Sequence, residues 1–185
     1  MAVSERYTSV AILLHWLIAA MLLFTFALGL YMADLPASPL KLRLFSYHKW
    51  IGVTIFLLVV MRLLWRLTHR VPPPPAEMPG WQRLAAWAAH ALLYLLTLVI
   101  PLSGWLYSSA SGFKVVYFGK IPLPDLVAKD KALAEQLLTV HQGLNAVIAI
   151  VIVLHIAAAL KHHWIDRDDV LSRMLPSRRT RSQSQ

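Results

Sequence analysis

The chain has 185 residues, 58% hydrophobic and only 15% charged, with a mean hydropathy of +0.57, a balance too apolar for an ordinary soluble domain of this size. It contains no cysteine, which excludes disulfides, thiolate ligands, iron–sulfur clusters and Cys-x-x-Cys-His attachment, so any metal must be held by His, Met or carboxylate. The net charge of +9 comes mostly from residues flanking apolar segments, which fits anchoring to anionic membrane lipid; no nucleic-acid partner is expected.

Four segments, 10–32, 46–67, 84–109 and 137–160, each reach the roughly 20 apolar residues that cross a hydrocarbon layer. The fold class read from them is all-α, an integral membrane four-helix bundle filling a single domain over 6–176. The first segment is longer than a signal-peptide core and lacks a strongly basic start, so it is read as a retained helix. Pro36 and Pro39, the proline run 72–75, and Pro122 with Pro124 mark the three connections, and Pro101 is expected to kink the third helix. In the third connection, 125–138 sets Leu126, Leu133 and Leu137 among Lys129, Asp130, Lys131 and Glu135, a pattern that allows an amphipathic surface helix. Residues 177–185 read as a disordered basic cytoplasmic tail.

With four spans the termini share a side. That side carries eleven of the 18 basic residues, including Arg6, Arg62, Arg66, Arg70, Arg83 and Lys161, against seven on the other, Lys41, Arg43, Lys49, Lys114, Lys120, Lys129 and Lys131. The bias places both termini of this multi-pass chain in the cytoplasm.

His141 and His155 lie fourteen residues apart on the last span. Fourteen steps of about 100° end about 40° short of four turns and about 21 Å further along, so the two imidazoles share a face at two depths. His15, five residues into the first span, matches His155 in depth, and His48, near the start of the second, matches His141. A lone intramembrane histidine is explained equally well by an interhelical hydrogen bond, but two depth-matched pairs favour metal ligation. His90 competes with His15 for the inner level. The fourteen-residue step also leads from His48 to Arg62, a candidate partner for a haem propionate or a snorkelling cation, and from His15 and His90 to Gly29 and Gly104, which leave space for a flat macrocycle or for ordinary helix packing.

The spans hold no Asp or Glu, which excludes a di-iron carboxylate site and argues against an acid-assisted proton relay in a non-redox scaffold or transporter. Zinc wants a third or fourth ligand. Two axial histidines satisfy haem b, leaving iron six-coordinate and suited to carrying electrons rather than binding oxygen.

His15-Trp16 in the first span, His48 with Gly52 in the second, Arg62 to Arg66 closing it, Pro101 to Gly104 in the third, and His141 through His155 to His162-His163 in the fourth together resemble the bacterial cytochrome b561 family over 6–176. The resemblance implies two haem b groups, the inner on His15 and His155 and the outer on His48 and His141. It further implies a place in the bacterial inner membrane and electron transfer between the periplasmic side and the quinone pool. Similar members act as superoxide:ubiquinone oxidoreductases, whereas related cytochrome b subunits dock a hydrogenase- or dehydrogenase-type partner. Lys41, Arg43, Lys49, Lys114 and Lys120 would steer superoxide to the outer side, and a partner-docking face would be charged as well. For ubiquinone the candidate contact is His162, seven residues beyond His155, with Lys161, His163 and Trp164 beside it and Arg6 and Ser9 approaching from the first span.

Overall fold

The computed structural model describes residues 6–176; the tail expected over 177–185 lies outside them. Four long helices form the bundle: α1 (Ser9–Ala33), α2 (Pro39–Thr68), α3 (Gly80–Ala110) and α4 (Lys131–Lys161). All four are long and apolar enough to cross a membrane. α1 packs on α2, α2 on α3, and α3 most extensively on α4, each helix against its neighbour in sequence.

The helix starts follow from capping. Thr8 accepts from the Ala11 N–H at 3.3 Å, and Ser38 accepts from the Lys41 N–H at 3.2 Å with Pro39 in the first turn, where its missing N–H costs nothing. That cap is why α2 begins seven residues before the apolar segment at 46, with Pro39 inside the helix rather than in the connection. α3 continues through Pro101. The surface helix expected over 125–138 is not formed as such. Asp130 caps α4 by accepting from the Leu133 N–H at 3.0 Å, and its own N–H is pinned to the Ala110 carbonyl at 2.9 Å, so the helix starts only at Lys131.

The third connection instead carries a two-stranded hairpin, β1 (Val116–Tyr117) and β2 (Ile121–Pro122). Phe118 (φ 50°) and Gly119 (φ 69°) take left-handed conformations at its tip. Trp50 Nε1 donates to the Val116 carbonyl at 2.6 Å, and the Tyr117 and Thr54 hydroxyls meet at 2.9 Å, which clamps the hairpin onto α2.

Few side chains are fully buried, as befits helices whose outer faces meet lipid. Two apolar clusters lie in the middle of the bundle. One is Ile18, Ile55 and Val59; the other is Leu96, Ile148 and Val151. Both fall between the level of His48 and His141 and that of His15 and His155. At the end carrying the termini, α4 runs into a π-helical turn (His162–Asp166), and a short 3₁₀ turn (Ser172–Met174) leads a strap back across the bundle. Trp16 Nε1 donates to the Met174 carbonyl at 2.8 Å, Arg6 donates to the Leu175 carbonyl, and Arg173 donates to the Pro73 carbonyl at 2.5 Å.

Replacing the α4 cap should be felt without disturbing the bundle interior. Asp130→Ala is expected to cost about 1 kcal/mol, and to lower the thermal midpoint of the detergent-purified protein by roughly 2–4 °C, with the visible spectrum at room temperature unchanged.

Candidate metal centres

The four histidines singled out by depth meet in two pairs. His48 of α2 and His141 of α4 have ring centroids 6.4 Å apart at 81°, and His15 of α1 and His155 of α4 lie 6.3 Å apart at 73°. An imidazole nitrogen sits about 2.0–2.1 Å from a bound metal, so two trans nitrogens stand about 4 Å apart. Adding about 1.1 Å from each nitrogen to its ring centre gives a centroid separation of about 6.3 Å for a bis-imidazole metal. Both pairs fit that spacing, and α4 contributes one ligand to each.

At the hairpin end the orientation of the rings is fixed from behind. The Ser103 hydroxyl lies 2.9 Å from His141 Nδ1 and itself donates to the Ile100 carbonyl at 2.7 Å. Its single proton is thus committed, so Ser103 accepts from Nδ1–H and leaves the Nε2 lone pair for a metal. Thr25 Oγ1 stands 3.2 Å from His48 Nδ1 in the corresponding position on α1. A Cβ on Gly104 would lie 3.1 Å from His141 Cε1, and one on Gly29 3.3 Å from His48 Cε1. These glycines therefore make room for the histidine rings themselves, which gives the fourteen-residue spacing a closer meaning than space for a macrocycle.

The end with the termini is built differently. His90 Nδ1 donates to the Ala86 carbonyl at 2.7 Å, and its ring centre is 5.3 Å from that of His155, too close for a trans pair and shorter than the 6.3 Å from His15 to His155. Arg62 donates from Nη1 to the Ala11 carbonyl at 2.6 Å and from Nε to the Tyr94 hydroxyl at 3.2 Å. The Ala11 carbonyl it reaches lies one helical turn before His15, which puts Arg62 at the inner level expected of a propionate partner. His162 lies at the join of α4 and the π-helical turn, with Nδ1 2.6 Å from Asp168 Oδ2 and 3.1 Å from Asp166 Oδ2. Arg6 contacts the strap, while Lys161 pairs with Asp166 at 2.7 Å.

Residues 6–177 match the family model described as prokaryotic cytochrome b561. The chain belongs to the prokaryotic cytochrome b561 family. It is 38% identical over 181 residues to cytochrome b561 homolog 2 of Escherichia coli K12, covering 92% of each chain. It is 30% identical to cytochrome b561 homolog 1 of the same organism, covering 95% of this chain and 99% of the relative. It is also 30% identical to the probable superoxide oxidase CybB of Yersinia pestis, covering 95% of this chain and 98% of that one. This cytochrome b561 is thus a multi-pass membrane electron-transfer protein of a haem b family.

Thr25, Ser103 and Asp168 are the site residues that reading the sequence alone passed over. Ser103 adjoins Gly104, and Thr25 is one helical turn before Gly29, so the glycines were the available pointers to both. Filling the space behind a ring should be harmful where space elsewhere is not. Gly104→Val is expected to displace His141 and reduce the haem bound per chain, measured by pyridine haemochrome, whereas Gly52→Ala, with nothing within 4 Å of its Cβ, should retain the full complement.

Proposed function

We propose that this cytochrome b561 is a di-haem b oxidoreductase that takes electrons from superoxide at the hairpin end and delivers them to ubiquinone at the end carrying the termini. The observation that carries the reading is the pair of histidine couples, 6.4 Å and 6.3 Å between ring centres, at two levels of one bundle. His48 and His141 would hold the outer haem, and His15 and His155 the inner. Each bound haem supplies a reversible one-electron ferric–ferrous couple with no open coordination position.

The protein's own part is to orient and to insulate. Ser103 and Thr25 hold the outer rings, and Arg62 offers a guanidinium to a propionate at the inner level. The Ile18 and Ile148 clusters keep the interval between the two stations apolar. With the basic bias of its flanks, the end with the termini faces the cytoplasm and the hairpin the periplasm.

Superoxide as donor is supported by the name of the Yersinia pestis relative and by the position of Lys49, next to His48 in sequence. Lys49 Nζ donates to the Phe113 carbonyl at 3.2 Å, which holds a cation on the approach to the outer pair. Ubiquinone is assigned to His162, two turns beyond His155 and half-buried. With Nδ1 engaged by Asp168, Nε2 is the nitrogen that can meet a quinone oxygen.

Purified protein should be red, with two b-type haems per chain. His48→Ala and His141→Ala should each remove one haem, and His15→Ala and His155→Ala the other. Superoxide generated enzymatically should drive ubiquinone reduction. A colourless preparation made with haem available overturns the cytochrome assignment, and reduction only by a dehydrogenase-type partner overturns the superoxide assignment.

Charge reversal at the entry should act through encounter. Lys49→Glu is expected to slow superoxide-driven haem reduction roughly tenfold at low salt, with the deficit shrinking as ionic strength rises.

A further inference from the structure

The turn after α4 is built to hold one carboxylate on one imidazole. Arg167 takes a left-handed conformation (φ 55°), unusual for a residue with a Cβ, and reverses the chain after the π-helical turn. The reversal brings Asp168 back onto His162 at two points. The Asp168 backbone N–H donates to the His162 carbonyl at 3.1 Å, and Asp168 Oδ2 accepts from His162 Nδ1 at 2.6 Å. The other carboxylate oxygen accepts from the Val170 N–H at 3.0 Å, which fixes the plane of the carboxylate. Asp168 is half-buried, and its Oδ2 approaches His162 Nδ1 more closely than that of Asp166, 2.6 Å against 3.1 Å.

We propose that Asp168 is a positioning residue for quinone protonation, holding His162 in the form that presents an Nε2–H to the quinone oxygen. This rests on the assignment of ubiquinone to His162. The quinone takes up two electrons, which bound haem would supply, and two protons to become the quinol. For each proton delivered here, the Nε2–H bond of His162 breaks and a quinone O–H bond forms. The neutral imidazole keeps its Nδ1–H on Asp168 and regains a proton at Nε2 from water at the membrane surface. A carboxylate on Nδ1 sets the ring orientation and keeps Nδ1–H engaged while Nε2 gives up and regains its proton.

The groups facing His162 are Asp168, Asp166 and, through Asp166, Lys161. The ligand atoms of His162, Asp166 and Asp168 lie within 4.8 Å of one another, a spacing that also suits a divalent cation. The ammonium of Lys161 at 2.7 Å already offsets Asp166, which leaves the imidazole–carboxylate pair as the better account.

The test uses full-length, haem-loaded protein in detergent, reduced with dithionite and mixed with ubiquinone-1 in a stopped-flow instrument. Haem reoxidation then reports quinone reduction without depending on superoxide. Asp168→Asn should leave haem content and spectrum intact and lower the limiting reoxidation rate about tenfold or more, with half-saturation by ubiquinone-1 little changed. Asp168→Glu should restore most of the rate. An unaltered limiting rate in Asp168→Asn, a change confined to half-saturation, or equal loss in Asn and Glu variants would each overturn the proposal. His162→Ala separates the two levels of argument: full reoxidation in that variant removes the quinone assignment itself. Loss in His162→Ala beside a normal Asp168→Asn removes only the role of Asp168.

Discussion

An imidazole inside a hydrocarbon layer has two nitrogens that need partners and no water to supply them, and the bundle is organised around that need. At the hairpin level the problem is solved from both sides. Nδ1 of His141 is held by Ser103 and Nδ1 of His48 by Thr25, and the two ring centres stand 6.4 Å apart, the spacing of a bis-imidazole metal. The hydroxyls sit on α3 and α1 while the histidines sit on α4 and α2, so this site draws on all four helices. Glycine is required behind each ring because a side chain there would occupy the place of the imidazole. The helices can be loosely buried otherwise, since lipid covers their outer faces and the family's haem b supplies interior bulk.

Much of this was legible in the sequence because it depends on periodicity. The fourteen-residue steps and the counting of depth from span ends require only that the spans be helical, and His15, His48, His141 and His155 came together as that arithmetic implied. The four spans were equally legible, since hydropathy decides them. Capping was less so. Ser38 and Asp130 are ordinary polar residues until a helix is seen to start beside them, which is why α2 begins early and the 125–138 segment is not one surface helix. The hairpin was hidden because Val116–Tyr117 and Ile121–Pro122 are too short to show alternation, and its stability comes from Trp50 and Thr54 on a distant helix. Arg62 has partners in Ala11 and Tyr94 that no spacing rule names.

The two ends of the bundle answer different chemical demands. At the hairpin end the loop is fastened tightly through Trp50, Tyr117 and the buried Ser108 and Ser109, and lysines border it. At the other end the chain folds back on itself, with Arg6, Trp16 and Arg173 tying the strap to α1 and to the proline-rich connection. Trp16 adjoins His15, so the strap is anchored one residue from the inner pair. Trp164 and Ile165 remain exposed on the π-helical turn, suited to the lipid interface through which the proposed quinone would arrive.

On the proposed function, charge is distributed so that electrons and protons would travel by separate routes. No acidic residue lies within the spans, and the interval between the histidine levels is closed by Ile, Leu and Val. Among the described residues no acidic side chain bridges the two levels, whereas electrons would need only the two proposed haem sites, whose ligands His141 and His155 lie about 21 Å apart along α4. Acidic groups reappear immediately past the last helical turn, at Asp166 and Asp168, where a reduced quinone would need its protons. On the proposed orientation, each electron crosses inward and each proton is taken from the cytoplasmic side, so the geometry makes the transfer charge-separating without any moving part.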